Sequence, residues 1–149
     1  MATVKQIVGT RTALTVTGLS TLASATYVQS ADYNCTTNQP LDVIIEVDVA
    51  TTNTPSGNKQ VVLFLQESLD GTNYRSGPTS GTSTTDEPNL KFVGVIPLAS
   101  SSVTEIATFS ILQVLGYIPA HFKLVLKNDL GVALTTGTVE TAEISATVA

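Results

Sequence analysis

The run Leu41-Asp42-Val43-Ile44-Ile45-Glu46-Val47-Asp48-Val49 constrains the fold more than any other part of the chain. Its odd positions, Leu41, Val43, Ile45, Val47 and Val49, form an unbroken apolar row. The even positions carry Asp42, Glu46 and Asp48, with Ile44 the one exception. Successive side chains of a strand point to opposite faces, so this period of two predicts a half-buried antiparallel strand with an acidic outer face. Alternation recurs along the chain, whereas the 3.6-residue period of a helix is hard to find. About a quarter of the residues are Ser or Thr, and Val, Ile and Leu fill the periodic segments. β-Branched side chains are stiff at χ1 and pack well on a pleated surface, so sheet is favoured over helix.

Further strands are predicted by the same reasoning. Val61-Val62-Leu63-Phe64-Leu65 is apolar on both faces and reads as a central strand. The turn formers Thr52 to Asn58 lie between it and the first strand, so the two read as a hairpin. Leu90 to Pro97 resumes strand character. Val103 to Leu112 follows, with Val103, Ala107, Phe109 and Ile111 on one face and helix as the competing reading. Ala120 to Lys127 places Phe122, Leu124 and Leu126 inward. A last strand, about Val139 to Val148, puts Ala142, Ile144, Ala146 and Val148 on a shared face. Short N-terminal strands are expected at Val4 to Val8, Ala13 to Val16 and Ala25 to Gln29. Asp70-Gly71 supplies a tight reversal, and the polar stretch 76–89 is the longest segment without periodic character. Eight or nine short strands with regular turn signals predict an all-β single domain, an antiparallel sandwich or jelly roll. Residues 1–22 read as an extended N-terminal arm or edge strands of that domain, and 23–149 as its body.

The reactive inventory is thin, with one His, one Cys, no Trp and 13% charged residues. The net charge of -5 and scattered basic residues argue against nucleic acid. No stretch approaches the roughly 20 apolar residues of a membrane span, and the first residues hold no apolar core of leader length. The expectation is a chain made and soluble in a cytoplasm. Cys35 reads as a buried small hydrophobe, with an intermolecular bridge or reactive thiol as the alternatives. His121 falls on the outer face of its strand with no orienting partner or nucleophile in any recognisable motif, so it reads as a surface or interface residue. Asp42, Glu46 and Asp48 could gather a cation but read better as a solvated face, and Asp70, Thr72 and Asn73 read as turn chemistry rather than calcium ligands. Tyr27, Tyr33, Tyr74 and Tyr117 are the available platforms for a sugar ring. No catalytic residue, cofactor or metal site is assigned, and no enzymatic activity is expected.

One resemblance bears on function. Glu67-Ser68-Leu69-Asp70-Gly71-Thr72-Asn73-Tyr74, followed by the strand Tyr117 to Asn128 with a Gly soon after, resembles a pattern in small β-sandwich virion proteins of tailed bacteriophages. The resemblance spans about residues 60–130. It implies a non-enzymatic structural protein of the particle, foremost a capsid decoration (cement) protein on the capsid surface, synthesised in the host cytoplasm. Its implied partners are the major capsid protein and copies of itself, as a dimer or trimer. A tail tube or tail completion component, and a glycan- or receptor-binding module, are the alternatives.

Overall fold

The computed structural model describes residues 3–148, and its regular secondary structure is almost all strand. In chain order these are β1 (Val4–Val8), β2 (Thr12–Ala13), β3 (Tyr27–Gln29), β4 (Tyr33–Asn34), β5 (Asp42–Ala50), β6 (Gln60–Ser68), β7 (Lys91–Pro97) and β8 (Thr104–Ser110). A single helical turn, α1 (Ile111–Leu115), precedes β9 (His121–Asn128) and β10 (Thr136–Val148). They form two antiparallel five-stranded sheets packed face to face. The first runs β1-β10-β5-β8 with β2 also on β10; the second runs β3-β9-β6-β7 with β4 also on β9. The chain is an all-β sandwich.

The alternation along β5 explains the packing. Val43, Ile45, Val47 and Val49 of β5 are fully buried, as are Val61, Leu63 and Leu65 of β6 and Phe122, Leu124 and Leu126 of β9. One continuous core joins these rows between the sheets. The central place predicted for residues 61–65 holds, because β6 lies between β9 and β7.

The hairpin expected from 41–49 and 61–65 does not form. β5 and β6 belong to different sheets, and the intervening loop crosses the sandwich. Facing a core across the sandwich buries an apolar row as fully as pairing beside it would, so turn residues alone do not distinguish the two. The loop is held by its contact with the β9–β10 turn, where Ser56 and Gly57 both donate main-chain N–H groups to the Leu130 carbonyl, at 2.9 and 2.8 Å. Gly131 (φ +79°) leaves no room for a Cβ, which would lie 2.5 Å from the Gly57 nitrogen.

Three other differences have physical causes. The segment 103–112 is strand only to Ser110; the Ser110 hydroxyl accepts the Gln113 N–H at 3.0 Å and starts α1, which Gly116 ends in the left-handed region. Of residues 1–22, β1 is an exposed edge strand, whereas Leu14, Leu19 and Leu22 are buried in the core. Ala142, Ile144, Ala146 and Val148 do share a face, but it is the outer one. Residues directly opposite in a ladder lie on one side, and the inward residues of β5 sit opposite Gly137, Val139, Thr141 and Glu143.

The polar segment 76–89 is a strap. It closes over an apolar patch on the outer face of the second sheet, formed by Tyr27, Val62, Phe64, Leu90 and Val125. The Tyr27 N–H donates to the Gly81 carbonyl at 3.0 Å, and the Glu87 carboxylate accepts from the Tyr27 hydroxyl and from Lys127 Nζ, the latter at 2.9 Å. Partial burial alone would raise the Glu87 pKa, but the hydrogen bonds from Tyr27 and Lys127 outweigh it and hold the carboxyl below its ordinary 4.5. A depressed carboxyl pKa gives stability that is complete above about 4.5 and is lost as pH falls through the lowered value. Hydrogen exchange at Tyr27 is therefore expected to quicken in that acid range. Glu87→Gln should remove the acid step and cost about 1 kcal/mol at neutral pH. An unchanged exchange profile in Glu87→Gln would show that the carboxylate does not hold the strap.

Candidate functional site

The exposed apolar surface is gathered at one end of the sandwich. β5 begins at Asp42, opposite Ile144, so Ser145 to Val148 run past it and pair only with β1. The resulting two-stranded ribbon stands clear of the body, with every residue of β1 exposed. Val4, Ile7, Val8 and Val148 are its apolar side chains, and Val148 is 70% exposed. At the same end lie Leu41, just before β5, Leu112 on α1, Tyr117 after it, and Leu69 in the turn after β6. Leu69 is 89% exposed. Of the twelve large hydrophobic residues exposed among the described residues, eight sit at this end.

An open groove of about 580 Å³ crosses it, lined by Glu67, Leu69, Asn73, Arg75, Tyr117 and Pro119 among others. Arg75 pairs with Glu67 at 3.3 Å, and the Tyr117 hydroxyl donates to the other oxygen of the same carboxylate. That hydrogen bond to Glu67 is the main cause holding the Tyr117 proton above its ordinary pKa.

The turn that presents Leu69 is rigid because Asp70 is fully engaged in it. Its Oδ1 accepts from the N–H groups of Thr72 and Asn73, at 2.9 and 2.8 Å, and from Ser68 Oγ at 2.9 Å; Oδ2 accepts from Asn73 Nδ2 at 2.7 Å. The backbone N–H groups of Asn73 and Thr72 hold this carboxyl far below the usual carboxylate range. Among the described residues no group of three or more His, Cys, Asp or Glu could hold a metal ion.

His121, read from sequence as a surface or interface residue, has a partner that the sequence did not show. It keeps the predicted outer-face parity, but its side chain is only 14% exposed, and Nδ1 lies 2.9 Å from Asp32 Oδ2. Tyr74 donates to Asp32 Oδ1 at 2.5 Å, and Lys123 Nζ sits 4.2 Å from the Tyr74 ring centroid. Gly71 (φ +70°) lies against the imidazole, where a Cβ would come within 2.8 Å of Cε1. Asp32 is the orienting partner missing from the sequence reading, brought in from 89 residues away. The cluster ties the 68–74 turn to β9 and to the segment before β4, which makes it a clamp that holds Leu69 in place.

The other candidates separate. Asp42 is a cap rather than part of a solvated face: its Oδ1 accepts from Leu112 N at 2.9 Å and its Oδ2 from Ser110 Oγ at 2.6 Å. Glu46 and Glu140 pair with Arg11, and Asp48 is half-buried. Cys35 is buried, and burial pushes its thiol up to about 11, away from reactivity. Tyr27 lies under the strap, and Tyr33 is half-buried, stacked on Phe122 at 4.9 Å with its hydroxyl donating to Glu143 Oε1 at 2.9 Å. Tyr117 alone of the four lines the groove. Leu41, which the alternation placed on the apolar row of the first strand, is instead 55% exposed because it lies just outside β5. Leu69 and Leu112 were not singled out from sequence; Leu69, a lone large apolar residue in a polar turn, was the one legible signal.

No protein-family model and no curated protein matches the chain.

Proposed function

We propose that the protein is a non-enzymatic structural component of a tailed-phage particle, a capsid decoration protein that docks by the ribbon-bearing end and bridges neighbouring capsid subunits. The concentration of exposed apolar side chains at that end carries the reading, because contiguous exposed apolar surface marks an interaction site. The clamp and the Asp70 turn hold Leu69 in a fixed position, so docking it costs little ordering entropy. Many such contacts repeated over a shell add up to tight retention through avidity.

Purified protein is expected to co-sediment with undecorated tailed-phage heads and to saturate at a fixed ratio. Leu69→Lys combined with Tyr117→Lys should weaken that binding at least about tenfold, equivalent to about 1.4 kcal/mol, with the circular dichroism unchanged. Heads that pellet without the protein would overturn the reading. A glycan-binding module is the second reading, favoured by Tyr117 beside the Glu67–Arg75 pair in the groove. Oligosaccharide binding lost in Tyr117→Ala, together with indifference to heads, would put it first.

A further inference from the structure

We propose that two copies of this chain join edge to edge through β1, forming a two-fold dimer in which the two β1-bearing sheets run on as one. The inference names a partner for the ribbon and rests on the assembly reading above for its purpose, but its test needs no shell.

The four sheet edges are not alike. Natural edges are blunted by Pro, bulges, inward charges or covering loops. β7 begins at Lys91, breaks register at Leu63/Phe64 of its neighbour and ends on Pro97. β3 is three residues long and is covered at Tyr27 by the Gly81 bridge. β8 carries Glu105 on its inward side, opposite Val49, and runs directly into α1. β1, Val4-Lys5-Gln6-Ile7-Val8, has no Pro, no Gly, no bulge and a single charge.

The hydrogen bonding of β1 fixes which groups it offers. Gly9 N donates to Glu143 O at 2.7 Å, so the odd residues Gly9, Ile7 and Lys5 turn their main-chain groups toward β10. In an antiparallel ladder the alternate residues turn theirs the other way. Among the described residues, Val4, Gln6 and Val8 therefore present unpaired main-chain N–H and C=O groups at the edge. A second β1, antiparallel about a two-fold axis at Gln6, meets them in register: Val4 faces Val8 of the partner subunit and Gln6 faces Gln6 of the partner subunit. About six main-chain hydrogen bonds close the seam. Lys5 falls opposite Ile7 of the partner subunit, so the only charge meets no like charge. Sliding the pairing by two residues would set Lys5 against Lys5 of the partner subunit, which is unfavourable. The Gln6-centred register makes the strand complementary to itself and pairs all three outward-facing residues, where a two-residue slide either way pairs only two of them, which suits an isologous interface.

Light scattering should give twice the 15.5 kDa chain mass for the wild type. Gln6→Cys should form an interchain disulfide on mild oxidation, because directly paired Cα atoms of a hydrogen-bonded pair are about 5.5 Å apart, within disulfide reach. Val8→Cys, four residues from its own equivalent across the seam, should not crosslink. Gln6→Pro removes an outward N–H without touching the β1–β10 ladder and should be a folded monomer. A wild type that stays monomeric, or a dimer in which Gln6→Cys does not crosslink, overturns the inference. A dimer that ignores phage heads would leave it standing and remove the assembly reading; a monomer that binds heads would do the reverse.

Discussion

Phe122→Ala is expected to lower the unfolding free energy by about 3–5 kcal/mol. Phe122 is fully buried on the inner face of β9 and stacks on Tyr33 with ring centroids 4.9 Å apart. Truncation loses the transfer free energy of the ring and leaves a cavity walled by strands that cannot collapse, since β9 is paired on both sides, by β6 and by β3 with β4. Tyr33 also loses its stacking partner while its hydroxyl stays tied to Glu143. In urea titration the midpoint should drop with an unchanged slope, and Phe122→Leu should recover more than half of the loss. A loss of stability below about 1 kcal/mol would mean that the ring does not occupy the core as described.

Asn128→Ala is expected to be nearly as damaging, through polar rather than apolar atoms. The Asn128 side chain is fully buried and donates to the carbonyls of Leu22 and Val132, both at 2.8 Å, while its Oδ1 accepts from Leu130 N at 2.9 Å. It holds three chain segments together at the end of the sandwich away from the ribbon. Removing it orphans the Leu130 N–H and the Val132 carbonyl where water cannot easily reach, while the Leu22 carbonyl keeps the Leu134 N–H at 3.0 Å, at a cost on the order of 3–5 kcal/mol. Asn128→Asp keeps the acceptor but turns a repelling oxygen toward two carbonyls, so it should be no better than Ala at neutral pH. Equilibrium unfolding of the two variants checks both expectations, and an Asn128→Asp variant as stable as the wild type would sink the account.

The strands were legible because their burial is recorded in one local variable, the alternation of side chains. β5 reads directly from Val43, Ile45, Val47 and Val49, and β6 from its two apolar faces. Sheet membership is not local: the row that pairs beside a strand and the row that faces it across the core obey the same pattern, so the false hairpin looked as good as the true topology. The face of β10 was harder still. Its inward row ends in Glu143, a charge that sequence reasoning places outside, and it is tolerated because Tyr33 and Asn38 donate to its two oxygens. At the candidate site, Asp32 and His121 show no local relation, and an exposed Leu41 reads simply as the start of the apolar row. What made the end of the sandwich identifiable was geometry, namely that β10 outruns β5.

That overrun also has a mechanical meaning. β10 is a single thirteen-residue strand whose far end builds the ribbon and whose first nine residues, Thr136 to Ile144, are laced to β5. A force drawn along the ribbon travels down β10 parallel to its own axis, while the inter-strand bonds lie across it. The load then falls on the whole lace at once, in shear, instead of peeling one pair after another. A tether built this way resists tension by sharing it, and it should yield abruptly rather than unzip.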